Sequence, residues 1–326
     1  MRLEEAWELT RRLANELSQG LPRTFSLHPE AREPALRVAV GVSQGRSADD
    51  ARIAIRGWTK EDIQRFDAAV LQRLSLPESE LDIVITGRIY AGTATLPPAI
   101  VHLAQPCRPV RPGVSISHFA GDTGTLGALV EVDTPSGTEL HMLSNNHILG
   151  NCISDSNPDA ATLGDKIVHP GGDEGGQSTV VGWLSKVEPL RRQINHADAA
   201  RALCDTSIDW DPEVPWIGRI SGMATHVLGS EVRKVGRSTG PTKGRVSATA
   251  FSVPIEYPDG VYYFDDVVEV VDTTMPFSRD GDSGAVILDT DRKAVGLLFA
   301  GGQGVTYANA MFRVKAALGF SGFKGA

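Results

Sequence analysis

The 326-residue chain is short of several things that would decide its class at once. It has three cysteines (Cys107, Cys152 and Cys204), an odd number at irregular spacing, which excludes a disulfide framework and fits a reduced, cytoplasmic compartment. No uninterrupted apolar stretch reaches transmembrane length, and the first residues, Met1-Arg2-Leu3-Glu4-Glu5-Ala6-Trp7-Glu8-Leu9, read as an acidic amphipathic helix rather than a secretory signal. There is no basic excess: 32 Lys and Arg against 40 Asp and Glu give a formal charge of −8, which excludes nucleic acid and anionic membrane as default partners. Cysteine–histidine spacing of the metal-binding kind is absent, so no metal and no cofactor is assigned. What is abundant is turn-forming: 34 glycines and 19 prolines are spread along a chain that is 41% hydrophobic. That composition suits a β-rich protein with sizeable cores.

The most informative tetrapeptide is Gly281-Asp282-Ser283-Gly284, followed by the apolar run Ala285-Val286-Ile287-Leu288. Gly, Asp and Ser are ordinary turn residues. A serine held between glycines can also expose its hydroxyl and turn two backbone N–H groups, those of Gly281 and Ser283, toward one point. Such a pair can receive the negative oxygen of a tetrahedral intermediate. The nucleophile then needs a base and a group to orient that base.

Two upstream segments supply candidates. An apolar strand runs into Ser144-Asn145-Asn146, with His147 at its exit, and Asp198 opens a run of small and apolar residues in Asn195-His196-Ala197-Asp198-Ala199-Ala200. The order His147, Asp198, Ser283 is one of the known chain orders of a catalytic triad, the one found on paired β-barrels. Asp165, Asp173, Asp205 and Asp209 also lie within plausible range of the acidic role, and His196 is an alternative base.

At this point the chain resembles the trypsin-like (chymotrypsin-fold) serine peptidases, and within them the intracellular bacterial branch. The resemblance covers about Arg111 to Phe320 and rests on motifs in order. They are Gly113-Val114-Ser115-Ile116-Ser117-His118, Gly124-Thr125-Leu126-Gly127, Leu143 to Leu149 around His147, His169-Pro170-Gly171-Gly172, Val235 to Gly244, the Gly-Asp-Ser-Gly run, and Val295 to Gly301. It implies a mainly β fold of two six-stranded antiparallel barrels with a triad in the cleft between them. It also implies cleavage of peptide bonds by way of an acyl-enzyme. Ser283 would be the nucleophile, His147 the general base, Asp198 its orienting carboxylate, and the N–H groups of Gly281 and Ser283 the oxyanion hole. Ala-Asp-Ala-Ala resembles the pattern around the acidic member, which favours Asp198.

Departures from better-known relatives narrow the expectation. Enzymes that cut after Lys or Arg carry an acidic residue six positions before the nucleophile, where this chain has Phe277. The resemblance therefore implies a small or apolar pocket lined by Phe277, Ser278, Phe299, Ala300 and Gly301. Secreted relatives place a cysteine directly after the catalytic histidine; here that position is Ile148. No Ile-Val-Gly-Gly sequence is present to furnish an activating amino terminus, so Asp282 must find another partner.

The organisation expected is a small α/β N-terminal domain over residues 1–95, a proline-rich linker over 96–113, and a peptidase domain over 114–326 whose barrels join near 205–216. In the first part the patterns predict a helix from Leu3 to Leu17, strands at Leu36–Val42, Arg52–Arg56 and Leu81–Ile85, and a helix from Lys60 to Leu74. A short terminal helix is expected at Phe312–Leu318. The expected function is a serine endopeptidase acting on a protein or peptide substrate, regulated, if at all, by a partner or through the N-terminal domain. The alternatives are a catalytically silent binding or scaffold module on the same fold, and a self-processing protease or esterase.

Overall fold

The computed structural model describes residues 1–19, 37–45, 47, 50–66, 76–91, 102–155, 157, 160–273 and 275–326. The elements in chain order are α1 (Leu3–Gln19), β1 (Val38–Gln44), β2 (Ala51–Gly57), α2 (Lys60–Phe66), β3 (Leu81–Ile85), β4 (Ser115–His118), β5 (Gly124–Thr125), β6 (Ala128–Thr134) and β7 (Gly137–Ser144). Then come α3 (Asn146–Leu149), β8 (Lys166–His169), β9 (Thr179–Val187), β10 (Ile194–Asn195), β11 (Ala200–Cys204), β12 (Glu213–Val214), β13 (Gly218–Arg219), β14 (Glu231–Gly236) and β15 (Gly240–Phe251). The chain closes with β16 (Val253–Tyr257), β17 (Gly260–Phe264), β18 (Val267–Asp272), β19 (Val286–Leu288), β20 (Ala294–Gly301), β21 (Val305–Ala310), α4 (Met311–Leu318) and β22 (Gly322–Phe323).

The protein is mainly β, with two antiparallel barrel-like bodies. The second is a closed ring: β14-β19-β20-β21-β18-β15, with β15 pairing back onto β14. The first is a curved sheet in the order β22-β6-β7-β11-β9-β8-β4-β5. Alternating burial along β11 (Ala200, Ala202 and Cys204 inward) shows the period-2 pattern of a one-face-buried strand. The first core gathers Ile116, Leu129, Met142, Ile167, Leu184 and Ala202; the second is filled by Val246, Val268, Val270, Ile287 and Val295. α4 leaves the second ring and buries Met311, Val314 and Leu318 in the first core, and β22 then pairs with β6, so the C-terminal residues fasten one body to the other. Residues 205–216 lead from the first body to the second; Trp210 there bridges Val110, and β12 pairs with β13, which lies just beyond.

The N-terminal elements attach to the second body through backbone hydrogen bonds. β15 has 12 residues and β14 only 6, so half of β15 runs past its partner. β1 covers that open edge with the register Val40↔Phe251 to Ser43↔Ala248, and β2 and β3 follow outward, the last pair parallel. An unpaired edge of that length is a template for unwanted association, and covering it removes the hazard. α1 lies on this extension with Ala6, Leu13 and Ala14 in a core of Val40, Val42, Ile53, Ile55 and Phe66. A buried ion pair crosses the junction: Arg56 of β2 donates through Nε to Oε2 (2.8 Å) and through Nη2 to Oε1 (3.0 Å) of fully buried Glu269 on β18. Tyr307 and Ser247 also donate to that carboxylate.

The predicted strand Leu81–Ile85 is observed with the same bounds, and the others differ by a residue or two. α2 is described to Phe66; the rest of the predicted helix, 67–74, and residues 96–101 of the expected linker lie outside the described residues. Of the remaining linker, Leu103 and Val110 are buried in the first core, and Val110 exchanges backbone hydrogen bonds with Asp209 and Asp211.

Candidate active site

Gly281-Asp282-Ser283-Gly284 forms the turn that enters β19. Gly281 and Gly284 have φ of +88° and +95°, in the left-handed region that a side chain resists. Space forbids a side chain as well: a Cβ on Gly284 would sit 2.1 Å from Ser144 Oγ, and one on Gly281 2.5 Å from Ser238 Oγ. Thr125 clamps the turn from the first body, its Oγ1 donating to Gly281 O (2.9 Å) and its N–H to Ser283 O (2.8 Å). Among the described residues neither the Gly281 nor the Ser283 N–H donates to a protein acceptor. Both donors are therefore available for an oxyanion.

His147 sits in the single turn α3. Asn145 donates to Asp198 O (2.7 Å), and Asn146 to Ile153 O (2.8 Å) and Glu188 O (3.1 Å), so the polar Ser-Asn-Asn turn fixes the histidine backbone on both sides. The fully buried Asp198 carboxylate then holds it twice. Oδ1 accepts from His147 N (3.2 Å), and Oδ2 lies 2.5 Å from Nδ1. A carboxylate can only accept, so Nδ1 carries the proton and Nε2 is left as a basic lone pair. Nε2 is buried and has no hydrogen-bond partner among the described residues. The main chain at Gly124 lies between this half and Ser283: a Cβ there would lie 2.6 Å from Ile148 Cδ1 and 2.8 Å from Ser283 O.

Asp198 Oδ2 has another donor that nothing in the sequence points to. Tyr257, at the end of β16 in the small sheet β10-β17-β16, donates its hydroxyl at 2.6 Å. Burial, and next the Asp198 charge, push the Tyr257 phenol well above its ordinary value, so it stays a donor. Asp198 N donates to Asn309 Oδ1 at 2.8 Å. The carboxylate is thus gripped by residues of both bodies.

Asp282, between the open N–H groups of Gly281 and Ser283, points away into the protein. Its partner is Lys234, 2.8 Å away and, like Asp282, fully buried. Oδ1 also accepts from Ser238 N (2.9 Å) and Thr239 N (3.1 Å), and Oδ2 from Thr239 Oγ1 (2.6 Å) and Arg279 N (3.1 Å). Burial lowers the Lys234 pKa and the Asp282 charge opposes it; the net direction is down. The motif Val235 to Gly244 is therefore the cradle of Asp282. A Cβ on Gly236 would lie 2.3 Å from Asp282 Oδ1, which is why only glycine fits there.

A cavity of about 640 Å³ opens beside Ser283, which lines it with Ser278, Ala300 and Gly301 together with Asp280, Arg279, Arg88 and Tyr90. Phe277 and Phe299, expected to line it, are fully buried instead, Phe277 in the second core and Phe299 against Phe264. Phe299 lies within β20, where period-2 geometry sends it to the face opposite Leu298 and Ala300, whereas Phe277 belongs to the loop before the Gly281 turn and is drawn into the second core. Of the competing acids, Asp165 bonds His118 and Asp205 caps its own turn at Ser207, while His196 is exposed. The three cysteines are free. Among the described residues no group of side chains could hold a metal ion, and no helix is long and apolar enough to cross a membrane.

Comparison with known proteins gives partial matches. The Nal1 C-terminal domain family matches residues 213–312. Protein NARROW LEAF 1 of Oryza sativa subsp. japonica is 35% identical over 82 residues, covering 23% of this chain and 13% of that protein. The chain thus matches a small fraction of that relative's length. Among solved structures, Thermobifida fusca Protease A covers 66% of this chain over 99% of its own, at 15% identity and a TM-score of 0.46. Nocardiopsis Protease does so over 66% and 100%, at 17% identity and 0.46.

Proposed function

We propose that this protein is a serine endopeptidase whose triad is His147, Asp198 and Ser283. The observation that carries the reading is the His147–Asp198 contact, which keeps the proton on Nδ1 and leaves Nε2 buried and unpartnered; the turn that holds Ser283 separately keeps two N–H donors open.

Nε2 takes the proton of Ser283 Oγ as that oxygen bonds to the scissile carbonyl carbon, and the carbonyl oxygen becomes an oxyanion bound by Gly281 N and Ser283 N. Collapse of the intermediate breaks the C–N bond, and His147 delivers its proton to the leaving amine. Water, deprotonated by the same Nε2, then releases the acyl group from Ser283. Loss of one oxyanion donor costs about 3 kcal/mol in comparable sites. Asp198 holds the tautomer and stabilises the imidazolium; Tyr257 and Asn309 position Asp198; Lys234 holds the oxyanion turn through Asp282. Ser278, Ala300 and Gly301 form the substrate pocket. The substrate is a protein or peptide, and the low, odd cysteine count favours a reduced, cytoplasmic setting.

A fluorophosphonate probe tests this reading, since it phosphonylates only an activated serine. Labelling that survives Ser283→Ala would sink the assignment. A folded chain inert to the probe would instead support a silent scaffold on the same fold.

A further inference from the structure

We propose that residues 86–91 occupy the strand slot that an extended substrate needs beside Ser283, so that the N-terminal sheet gates the acyl side of the site. This rests on the peptidase reading and adds its regulation.

Extended peptides are commonly bound by adding a strand to a sheet edge, where backbone hydrogen bonds supply the affinity. The edge nearest Ser283 is the last part of β20. On one side β20 pairs with β21 along its length, and on the other β19 reaches only to Leu297. Beyond that point Leu298 bonds the nucleophile turn itself, accepting from Gly284 N (2.8 Å) and donating to Ala285 O (2.9 Å). A peptide with its carbonyl at Ser283 would therefore lay its acyl side along Leu298 to Gly301, with Gly301 offering the next N–H and C=O.

Both Gly301 groups are already used. Tyr90 N donates to Gly301 O (3.2 Å) and Gly301 N donates to Tyr90 O (3.3 Å), a closed antiparallel pair. The polarity is that of a bound peptide, since chain direction at Tyr90 runs from Gly301 toward Leu298. Side chains complete the occupation. Tyr90 donates its hydroxyl to Asp280 Oδ2 (3.3 Å), and Tyr90 and Arg88 line the cavity that holds Ser283.

The segment is anchored on every side. Ile89 is 1% exposed and packs with Phe299, Val305 and Tyr307. Gln303 N donates to Thr86 O (3.0 Å) and Thr86 N to Gly57 O (2.9 Å), which ties the segment to β2. On its far edge Glu256 N donates to Ile89 O (2.9 Å), Ala91 N donates to Glu256 O (3.2 Å), and Arg88 pairs with the Glu256 carboxylate. A substrate gains the Gly301 pair only by displacing the residues that hold it.

The test is equilibrium binding of acetylated alanine peptides of two, three and four residues to the full chain carrying Ser283→Ala, by titration calorimetry. The same series is run with Ile89→Ala, which loosens the anchor, and with Tyr90→Pro, which deletes the N–H donor, each added to Ser283→Ala. The two backbone hydrogen bonds at Gly301 are worth about tenfold in affinity together. With the gate in place the dissociation constant does not tighten as the peptide lengthens; in the loosened chains it tightens about tenfold between two and four residues. Tenfold tightening in the chain with Ile89 and Tyr90 intact overturns the proposal, and so does the absence of tightening in both loosened chains. The outcome does not depend on turnover, so it is read separately from fluorophosphonate labelling, which reports the peptidase reading alone.

Discussion

Replacing Lys234 by methionine removes a charge and leaves a similar apolar length in its place. Both members of the Lys234–Asp282 pair are fully buried. Breaking a buried pair by removing one partner costs roughly 3–5 kcal/mol, because the survivor stays charged in a poor solvent. Asp282 keeps the donors from Ser238, Thr239 and Arg279, which places the expected cost near the lower end, about 3 kcal/mol. That loss is read as a lower midpoint at unchanged slope in urea unfolding at pH 7. Lys234→Met combined with Asp282→Asn removes both charges and recovers at least half of the loss, a coupling expected of groups in direct contact. Because Asp282 lies between the two oxyanion donors, the single variant also loses fluorophosphonate labelling of Ser283 while still folded. A single-variant cost below about 0.5 kcal/mol, or strictly additive losses in the double variant, would refute the assignment of Lys234 as the counter-ion of the turn.

Other outcomes follow from the same geometry. Tyr257→Phe deletes a hydrogen bond to a carboxylate, so kcat/KM falls about tenfold to a hundredfold, carried by kcat at little-changed KM; an unchanged kcat contradicts a positioning role. Arg56→Met leaves Glu269 buried and unpaired and lowers unfolding stability by about 3–5 kcal/mol, whereas a change under 1 kcal/mol in denaturant melts would show that the junction does not rely on the pair. Burial raises the Asp82 carboxyl but the Arg56 charge and hydrogen bond lower it further, so its pKa lies below its ordinary 3.8. A depressed carboxyl stabilises the fold above its unfolded pKa and loses that contribution as pH falls through the folded value. Stability therefore declines below about pH 4 less steeply in Asp82→Asn than in the parent, and parallel declines would contradict it.

The Gly-Asp-Ser-Gly turn and the turn that carries His147 were legible in the sequence because each depends on backbone chemistry that only certain residues permit. Glycine is required on both sides of Ser283 by positive φ and by contacts near 2 Å, and Asn145 and Asn146 are required to tie down the turn before His147. The residues that grip the acidic groups were not legible. Tyr257 reaches Asp198 from a strand 59 positions away, and Lys234 reaches Asp282 from 48 positions away, with no local pattern to announce either contact. Of the residues expected around the cavity beside Ser283, Ser278, Ala300 and Gly301 line it, while Phe299 is turned into a core by strand alternation and Phe277 is buried from a loop that carries no periodicity to read. At the N-terminus the periodicity revealed α1 and the strands. That β1 would pair with β15 was hidden, since the open edge it covers arises only from the unequal lengths of β14 and β15.

The central claim is that Ser283 is an activated nucleophile with His147 as its base. Intact-mass analysis after fluorophosphonate treatment of the full chain, of His147→Ala and of Ser283→Ala tests it most directly. The account predicts a single adduct mapping to Ser283 in the parent, labelling slowed by at least a hundredfold in His147→Ala, on the order expected for loss of a general base, and none in Ser283→Ala. A parent chain that is folded yet unlabelled, or an adduct that persists without Ser283, would contradict it.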